Sequence, residues 1–257
     1  MSQTQLYTSE ALPLRGARNV RDLGGYPYVD ERGHAGRTAR GVFLRGAALG
    51  RLRRSDVDLL RRRGLRLVID IRSSFELRHW QDPFADGKVA GIDYIHIPMM
   101  DQLNSNGFQG LLPASMFDVY RDLLDEEPED FKTLLEAADA RADGCTLFHC
   151  RAGKDRTGVV AMLLLELAGV DGAHIVADYA ATQRYMGRGL RAQRIAVSLL
   201  LRKKVPSCLF EARPEEMERT LAYLHERYGG ARRYLRGVAG CSDSLLDRTA
   251  ARLRGRA

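Results

Sequence analysis

The order of apolar and polar positions along the chain predicts a sheet of separate, buried strands. Residues 65–71, 92–97 and 145–149 are mostly apolar runs of strand length. Such runs are typical of central strands, because a strand covered on both faces has no polar face. A helical turn is predicted over 73–80, between the first two runs. This order of strand, helix and strand predicts an α/β fold with a central, mostly parallel sheet flanked by helices.

Most of the remaining chain has the spacing of helices. Residues 114–141 are predicted to be helical, with a break near Pro128. The amino-terminal part, 11–50, is rich in turn residues and predicts a loop, a short hairpin and a short strand at 42–44. After the strand at 145–149 every further element is predicted to be a helix, over 156–168, 172–186, 188–203, 214–228, 230–237 and 243–254.

One helix carries recognisable start and stop signals. Ser55 is the predicted N-cap, and the Asp58 carboxylate three residues later would complete a capping box. Gly64 is the predicted terminating glycine, because glycine readily adopts the left-handed backbone found after a helix. The strand at 65–71 then follows directly.

The composition is that of a globular protein with an excess of arginine. The 257 residues include 40 Lys and Arg against 33 Asp and Glu, a net charge of +7, and 45% are hydrophobic. A basic chain can bind nucleic acid, a membrane surface or a phosphorylated substrate. Here the arginines are interleaved with acidic residues, which favours a compositional background over one binding surface. No repeat or linker divides the chain, so a single domain over 1–257 is expected.

Targeting signals and cysteine usage bear on where the protein is located and on whether it holds disulfides or a metal. No run of about 18 apolar residues is present, so no membrane span is expected. The first twenty residues lack a basic region followed by an apolar one, so we expect a cytoplasmic protein, with export without a cleaved signal left open. Four cysteines do not make a disulfide framework, and Cys208 and Cys241 form no pair at metal spacing, so no metal or cofactor is expected.

The candidate chemistry lies directly after the third strand. The segment 149–158 reads HCRAGKDRTG and leads into an apolar helix. The N–H groups of such a loop and the positive end of the helix bind an anion and favour the thiolate form of Cys150. Arg156 offers a planar fork to two phosphoryl oxygens. The Thr157 hydroxyl is expected near the sulfur, where it would ease departure of the thiolate.

This Cys-x5-Arg loop is the signature of cysteine-dependent phosphatases, and the chain resembles the atypical tyrosine phosphatases of bacteria and fungi. The resemblance covers about residues 11–254 and includes the segments 19–25, 45–49, 70–73 and 175–184. It implies a phosphatase α/β core with a helical lid inserted after the loop helix. It also implies metal-independent hydrolysis of phosphotyrosine proteins through a cysteinyl-phosphate, and often activity on phosphoinositides.

Other interpretations of the loop fit less well. A Walker loop needs Ser or Thr after Gly-Lys, but Asp155 follows Lys154. A buried structural cysteine would not be followed by glycine, lysine and arginine at loop spacing. A non-catalytic phosphate-binding module remains an alternative, disfavoured because nucleophile, arginine and acid are all present. Nucleic-acid binding is not expected, since only the net charge suggests it.

Two aspartates are candidates for the proton donor to the leaving oxygen. The resemblance points to Asp155, inside the loop, as general acid and later base. Asp101 is the alternative, because it follows the strand at 92–97 in the kind of loop where active sites form. Asp118 and Asp122 lie on a predicted helix, where a solvated surface is the simpler interpretation.

The remaining loop residues have supporting roles. The backbone N–H groups of Arg151, Ala152, Gly153 and Lys154 would bind the phosphoryl oxygens. The side chain of Lys154, and less strongly that of Arg151, would add charge for a second phosphate, which makes an inositol phosphate or phosphoinositide the alternative main substrate. His149 is expected to hydrogen-bond the loop backbone and orient the loop.

Residues 187–206 form a basic, partly amphipathic segment bounded by Gly187-Arg188-Gly189 and by Pro206. One interpretation is a surface helix with solvated arginines. The resemblance instead implies a lid helix over the active site. Such a lid would permit peripheral contact with an anionic membrane, at roughly 1 kcal/mol per basic residue near the surface.

Two further features each have two interpretations. Cys145, five residues before Cys150, is either a buried strand residue or a disulfide partner that protects an oxidised nucleophile. Asp70 and Arg72, at the end of the strand at 65–71, form either a buried ion pair or an edge of the substrate site.

Overall fold

The computed structural model describes residues 6–85, 87, 89–101, 113, 115–202 and 205–256, without the side chains of residues 200, 201 and 208. Seven strands lie in this part of the chain: β1 Arg21–Asp22, β2 Pro27–Val29, β3 Ala35–Arg37, β4 Phe43–Gly46, β5 Leu65–Asp70, β6 Asp93–His96 and β7 Cys145–His149. The described helices are α1 Arg54–Arg62, α2 Ser74–His79, α3 Met116–Glu126, α4 Pro128–Ala140, α5 Asp155–Leu167, α6 Gly172–Leu201, α7 Pro214–Tyr228, α8 Ala231–Gly237 and α9 Asp243–Leu253, with a 3-10 turn at Ser207–Phe210.

Five strands form the central sheet in the order β1, β4, β7, β5, β6. β4, β7, β5 and β6 run parallel to one another, and only β1 pairs antiparallel, at the edge beside β4. β2 and β3 form the short hairpin expected in the amino-terminal part. The predicted fold class, a mostly parallel sheet flanked by helices, is therefore confirmed.

The central strand β7 is buried along its whole length and separates two apolar clusters. Phe148 faces the larger cluster, which includes most of α5, whereas Leu147 faces the smaller one beneath α1. α5 is buried on nearly every side because the sheet and several helices surround it. An all-round apolar helix of this kind is typical of a core position. It fixes the loop between β7 and α5 against the sheet.

The predicted cap of α1 is wrong by two residues. The helix begins at Arg54, and its N-cap is Arg53 rather than Ser55. The capping carboxylate belongs to the buried Asp56, which accepts hydrogen bonds from the N–H groups of Arg53, Arg15 and Gly16 at 2.9 Å. Asp58 lies on the exposed face instead. Asp56 is the capping residue because three backbone N–H groups bond its carboxylate, two of them brought there from Arg15 and Gly16 by the fold.

The predicted division of 172–186 from 188–203 is also wrong. α6 runs without interruption for 30 residues and passes through Gly187 and Gly189. Neither glycine has a positive φ, and a helical glycine costs only about 1 kcal/mol relative to alanine, which is too little to end a helix. The helix ends at Leu201, and the residue that caps it, Arg202, has a left-handed backbone with φ 49°. None of the described helices combines the length and apolarity that crossing a membrane requires.

Candidate active site

The loop 150–154 leaves the carboxyl end of β7 and leads into α5. Its tight turn depends on Gly153, which has φ +64°, in the region that favours glycine. A Cβ at this position would lie 2.5 Å from the carbonyl carbon and oxygen of Gly46 on β4. Both the backbone conformation and the close approach of β4 therefore require glycine here.

Carbonyl oxygens of the loop point away from its centre and toward the surrounding protein. The Arg151 carbonyl accepts a hydrogen bond from Ala48 N at 3.2 Å. The Gly153 carbonyl accepts one from Asn19 Nδ2 at 3.0 Å and one from Arg45 Nη2 at 2.7 Å. Asn19 Nδ2 also lies 3.4 Å from Ala152 O. Since the N–H and C=O groups of a peptide point in opposite directions, this arrangement favours N–H groups directed to the inside of the loop.

A buried charge network holds Arg45 in place. Asp178 on α6 accepts hydrogen bonds from Arg21 and from Tyr26, both at 2.7 Å, and pairs with Arg45 Nη1. Burial raises the pKa of Asp178, but the two arginines outweigh it and the pKa is lowered. The network connects the base of α6 to the loop through Arg45. Asp178 was not singled out in the sequence, although it lies in the segment 175–184 that carries the resemblance.

Arg156, on the first turn of α5, is nearly buried and pairs with Glu76 on α2. Its Nη1 lies 2.6 Å from Glu76 Oε2 and its Nη2 lies 3.1 Å from Oε1. Burial lowers the pKa of Arg156, but the charges of Cys150 and Glu76 outweigh it and the pKa is raised. Within the described residues the Nε of Arg156 has no hydrogen-bond partner, so this edge can bind phosphoryl oxygens.

Glu76 is a site residue that the sequence interpretation missed. Its carboxylate also accepts a hydrogen bond from Ser73 N at 3.0 Å, in a capping box that starts α2. Burial raises the pKa of Glu76, but Arg156 outweighs it and the pKa is lowered. The Ser-x-x-Glu spacing at 73–76 was a readable signal for the helix start. It gave no indication that Arg156 would be the partner.

Asp155 is the first residue of α5, and its side chain is 25% exposed. Its Oδ1 accepts a hydrogen bond from Tyr120 OH at 2.6 Å and lies 3.1 Å from Lys154 Nζ. Tyr120 OH lies 2.7 Å from Tyr179 OH. The pKa values of both tyrosines are raised, first by burial and then by the charge of Asp155, so both remain protonated. No pattern in the sequence singled out these tyrosines.

The other candidate acids have different surroundings. Both oxygens of Asp101 accept hydrogen bonds from Ser74, from N at 2.6 Å and from Oγ at 3.1 Å, at the first turn of α2. Asp118 and Asp122 are exposed and pair with Arg121 on the surface of α3. The simpler interpretation of these two aspartates is therefore confirmed.

The side chain of Lys154 is only 1% exposed. Its Nζ donates to Leu209 O and to Glu211 O, both at 3.1 Å, and it pairs with Asp155. The ammonium group therefore holds the chain that follows α6 against the loop. Its predicted contact with a second phosphate would require these hydrogen bonds to break.

His149, Asp70, Arg72 and Asp82 form a buried charge cluster behind the loop. Arg72 donates from Nε to both oxygens of Asp70, at 2.9 and 3.0 Å, so these two residues form the buried ion pair that the sequence left as one of two interpretations. Burial raises the pKa of Asp70, but His149 and Arg72 outweigh it and lower the pKa to about 2. His149 Nδ1 lies 3.4 Å from Cys150 O, which is the expected contact with the loop backbone.

Within the described part of the chain, the same cluster contains three side chains whose spacing could fit a metal ion, Asp70, Asp82 and His149. Their ligand atoms lie within 4.8 Å of one another. The Arg72 guanidinium already bonds Asp70 and lies 3.8 Å from Asp82. Arginine thus supplies the positive charge that these carboxylates need, and the donor set does not fit a metal.

Cys145 and Cys150 face opposite sides of the sheet, Cys145 in the smaller apolar cluster and Cys150 in the larger. The strand from Cys145 to His149 spans about 13 Å, whereas a disulfide needs Cα atoms within about 7 Å. The protective disulfide is therefore wrong, and Cys145 is a buried strand residue. Burial raises the pKa of its thiol to about 12.

Comparison with known proteins decides the family. A sequence model of the family described as the tyrosine phosphatase family matches residues 12–255 of this chain. The chain belongs to the tyrosine phosphatase family. A tyrosine-protein phosphatase of Nostoc commune is 33% identical over an alignment of 224 positions, which covers 82% of this chain and 74% of the relative. The triple specificity protein phosphatase PtpB of Mycobacterium tuberculosis is 29% identical over an alignment of 273 positions, gaps included, which covers 89% of this chain and 97% of the relative.

These matches confirm the family inferred from the Cys-x5-Arg loop, and they support protein-tyrosine-phosphatase activity. Among solved structures, TpbA of P. aeruginosa is similar over 54% of this chain and 68% of its own, with 20% sequence identity and a TM-score of 0.31. A likeness this low carries no argument about the site.

Proposed function

We propose that this tyrosine phosphatase hydrolyses phosphotyrosine in proteins through a covalent cysteinyl-phosphate on Cys150, without a metal. One observation carries the proposal. The loop after Cys150 has its carbonyls bonded to the surrounding protein and its arginine held by Glu76, an arrangement that supports a site in which its N–H groups and Arg156 bind an oxyanion. The buried nucleophile begins this loop.

In the first step the Cys150 thiolate attacks phosphorus in line with the leaving phenol oxygen. The S–P bond forms while the P–O bond breaks, and the loop N–H groups and Arg156 stabilise the charge on the equatorial oxygens. The Asp155 carboxyl gives its proton to the leaving oxygen. Asp155 is preferred to Asp101 because it lies in the loop and its Oδ2 has no hydrogen-bond partner among the described residues, whereas both oxygens of Asp101 bond Ser74.

In the second step a water molecule attacks the phosphorus of the intermediate. The Asp155 carboxylate accepts a proton from this water, the S–P bond breaks with its electron pair returning to sulfur, and inorganic phosphate leaves. Thr157 Oγ1 is buried and has no hydrogen-bond partner in the described part of the chain. This unpaired hydroxyl supports a role as a donor to the departing thiolate.

The test is hydrolysis of a phosphotyrosyl peptide in the presence of EDTA, with Cys150→Ser as the control. We expect full wild-type activity and no measurable activity for Cys150→Ser. Rapid quenching followed by mass spectrometry should show phosphate on Cys150 in the wild type. Activity that EDTA abolishes, or a quenched enzyme without this adduct, would contradict the proposed mechanism.

A second candidate activity, on phosphoinositides at an anionic membrane, is favoured by the exposed end of α6. Ile195 is 52% and Leu199 is 73% exposed, one helical turn apart, and Arg188 and Arg191 nearby are also exposed. Apolar and basic side chains together are typical of a helix that binds an acidic lipid surface. We propose residues 187–206 as a lid, with Lys154 holding the chain just beyond it, at Leu209 and Glu211, against the loop.

This candidate is tested with an Ile195→Ser, Leu199→Ser double variant. Hydrolysis of phosphoinositide in anionic vesicles should fall, while hydrolysis of a soluble short-chain phosphoinositide should not change. A Val29→Ser variant removes another exposed apolar side chain, 59% exposed, from the hairpin and is the control. Equal activity of the double variant and the wild type on vesicles would rule out membrane contact through α6.

A further inference from the structure

Arg151 and Trp80 form a stacked pair beside the phosphate loop. Arg151 directly follows the nucleophile, and its guanidinium carbon lies 3.5 Å from the centre of the Trp80 ring. Trp80 is 45% exposed, so solvent reaches the pair. A guanidinium stacked on an aromatic face keeps its N–H donors in its own plane, where they remain available to an anion.

The position of Trp80 is fixed from the central sheet. Arg72 Nη1 donates to Trp80 O at 2.7 Å, and Arg72 is itself held by Asp70 at the end of β5. Trp80 is also the C-cap of α2, the helix whose Glu76 binds Arg156. The backbone of Trp80 is thus placed independently of Arg151, and its indole ring offers a face to the Arg151 guanidinium.

The charge of Arg151 has no partner in the described part of the protein. Four other arginines around the loop each pair with a carboxylate, namely Arg21 and Arg45 with Asp178, Arg72 with Asp70, and Arg156 with Glu76. The pKa of Arg151 is lowered by partial burial and by the charges of three neighbouring arginines, which outweigh Glu76. A negative charge from outside the protein would relieve this repulsion.

We propose that Arg151, stacked on Trp80, binds an acidic side chain next to the phosphotyrosine of a phosphopeptide substrate and so determines specificity. The inference rests on the proposed function of the loop. A carboxylate fits because it accepts two parallel hydrogen bonds from one guanidinium. A peptide is argued here rather than a lipid because the proposed substrate is phosphotyrosine in a protein, and Arg151 directly follows the nucleophile, so residues that flank the phosphotyrosine come close to it.

The test uses two phosphotyrosyl peptides that differ only in carrying Glu or Gln on both sides of the phosphotyrosine. We expect the wild type to prefer the Glu peptide by about tenfold in kcat/KM at low salt, the usual effect of one charge-assisted hydrogen-bonded contact. Arg151→Gln should reduce the ratio to about 1, and Arg151→Lys should retain part of it. Each ratio is measured within one variant, so a change in the basal rate cancels.

Arg62→Gln is the matched control. Arg62 is exposed at the end of α1. This helix leads to the first residue of β5, at the amino-terminal ends of the parallel strands, whereas the loop lies at their carboxyl ends. The ratio of Arg62→Gln should equal that of the wild type.

Trp80 is the only tryptophan in the chain. In a Cys150→Ser variant its fluorescence should therefore respond to the Glu peptide at a lower concentration than to the Gln peptide.

Four results would overturn the inference. If the wild type hydrolyses p-nitrophenyl phosphate but shows no preference between the peptides, the acidic contact is wrong and the proposed function stands. An unchanged preference in Arg151→Gln has the same meaning. If Arg151→Gln lowers kcat/KM only for phosphoinositides, the anion is a lipid headgroup and the peptide is wrong. A wild type that hydrolyses no phosphate ester overturns the proposed function and this inference with it.

Discussion

Arg156 and Glu76 form a two-point ion pair between the phosphate loop and α2, with Nη1 to Oε2 at 2.6 Å and Nη2 to Oε1 at 3.1 Å. The pair fixes the plane of the guanidinium, so that its remaining edge is set before substrate arrives. Glu76 therefore acts through Arg156, as a positioning residue. Such preorganisation lowers the cost of ordering the site when the transition state forms.

Glu76→Gln should lower kcat/KM for a phosphotyrosyl peptide by about 10²-fold, because an ångström of misplacement near the chemistry costs that much. Glu226→Gln, on the exposed face of α7, is the control and should have wild-type kinetics. The kinetic constants are measured together with thermal unfolding. A Glu76→Gln enzyme with normal kcat/KM would show that Arg156 needs no partner for its orientation.

Asp155→Asn should lower kcat for phosphotyrosine by roughly 10²- to 10³-fold, as loss of a general acid usually does. Asp101→Asn should keep the wild-type kcat, because both oxygens of Asp101 bond Ser74 instead of facing the substrate. The assignment is wrong if Asp101→Asn loses this activity and Asp155→Asn retains it.

Gly153→Ala should destabilise the fold by about 2–4 kcal/mol, since a left-handed backbone costs alanine roughly 1–2 kcal/mol and a backbone clash adds a similar amount. The clash is with Gly46, at 2.5 Å. Gly33→Ala is the matched control, because Gly33 has φ +79° but no atom within 4 Å of the added Cβ. Urea unfolding of both variants separates backbone strain from crowding, and equal losses would contradict the crowding.

The Asp70 carboxylate should stabilise the fold in a pH-dependent way. Its folded pKa of about 2 lies below the usual value of 3.8 for an aspartate, so its contribution is present above pH 3.8 and is lost as pH falls through 2. This difference in pKa adds about 2 kcal/mol to the free energy of unfolding at neutral pH. Urea unfolding of wild type and Asp70→Asn should therefore differ by about 1 kcal/mol less at pH 3 than at pH 7. A difference that does not change with pH would disagree with this.

Local sequence patterns anticipated much of the scaffold. The three apolar runs became β5, β6 and β7, and the break at Pro128 separates α3 from α4. These signals are local, because apolar periodicity and the geometry of proline act within a few residues. The cap of α1 and the continuity of α6 were not anticipated. Asp56 finds two of its three donors about 40 residues away, at Arg15 and Gly16.

The sequence by itself determined the candidate chemistry, because a cysteine, an arginine and the glycine between them are close in the chain and their spacing defines a phosphate loop. Only the tertiary structure decided what holds that loop. Glu76 reaches Arg156, Asp178 reaches Arg45, and Tyr120 reaches Asp155, each across 35 or more residues. The physical reason is that a buried charge needs a partner, but any of many distant side chains can supply one until the chain has folded.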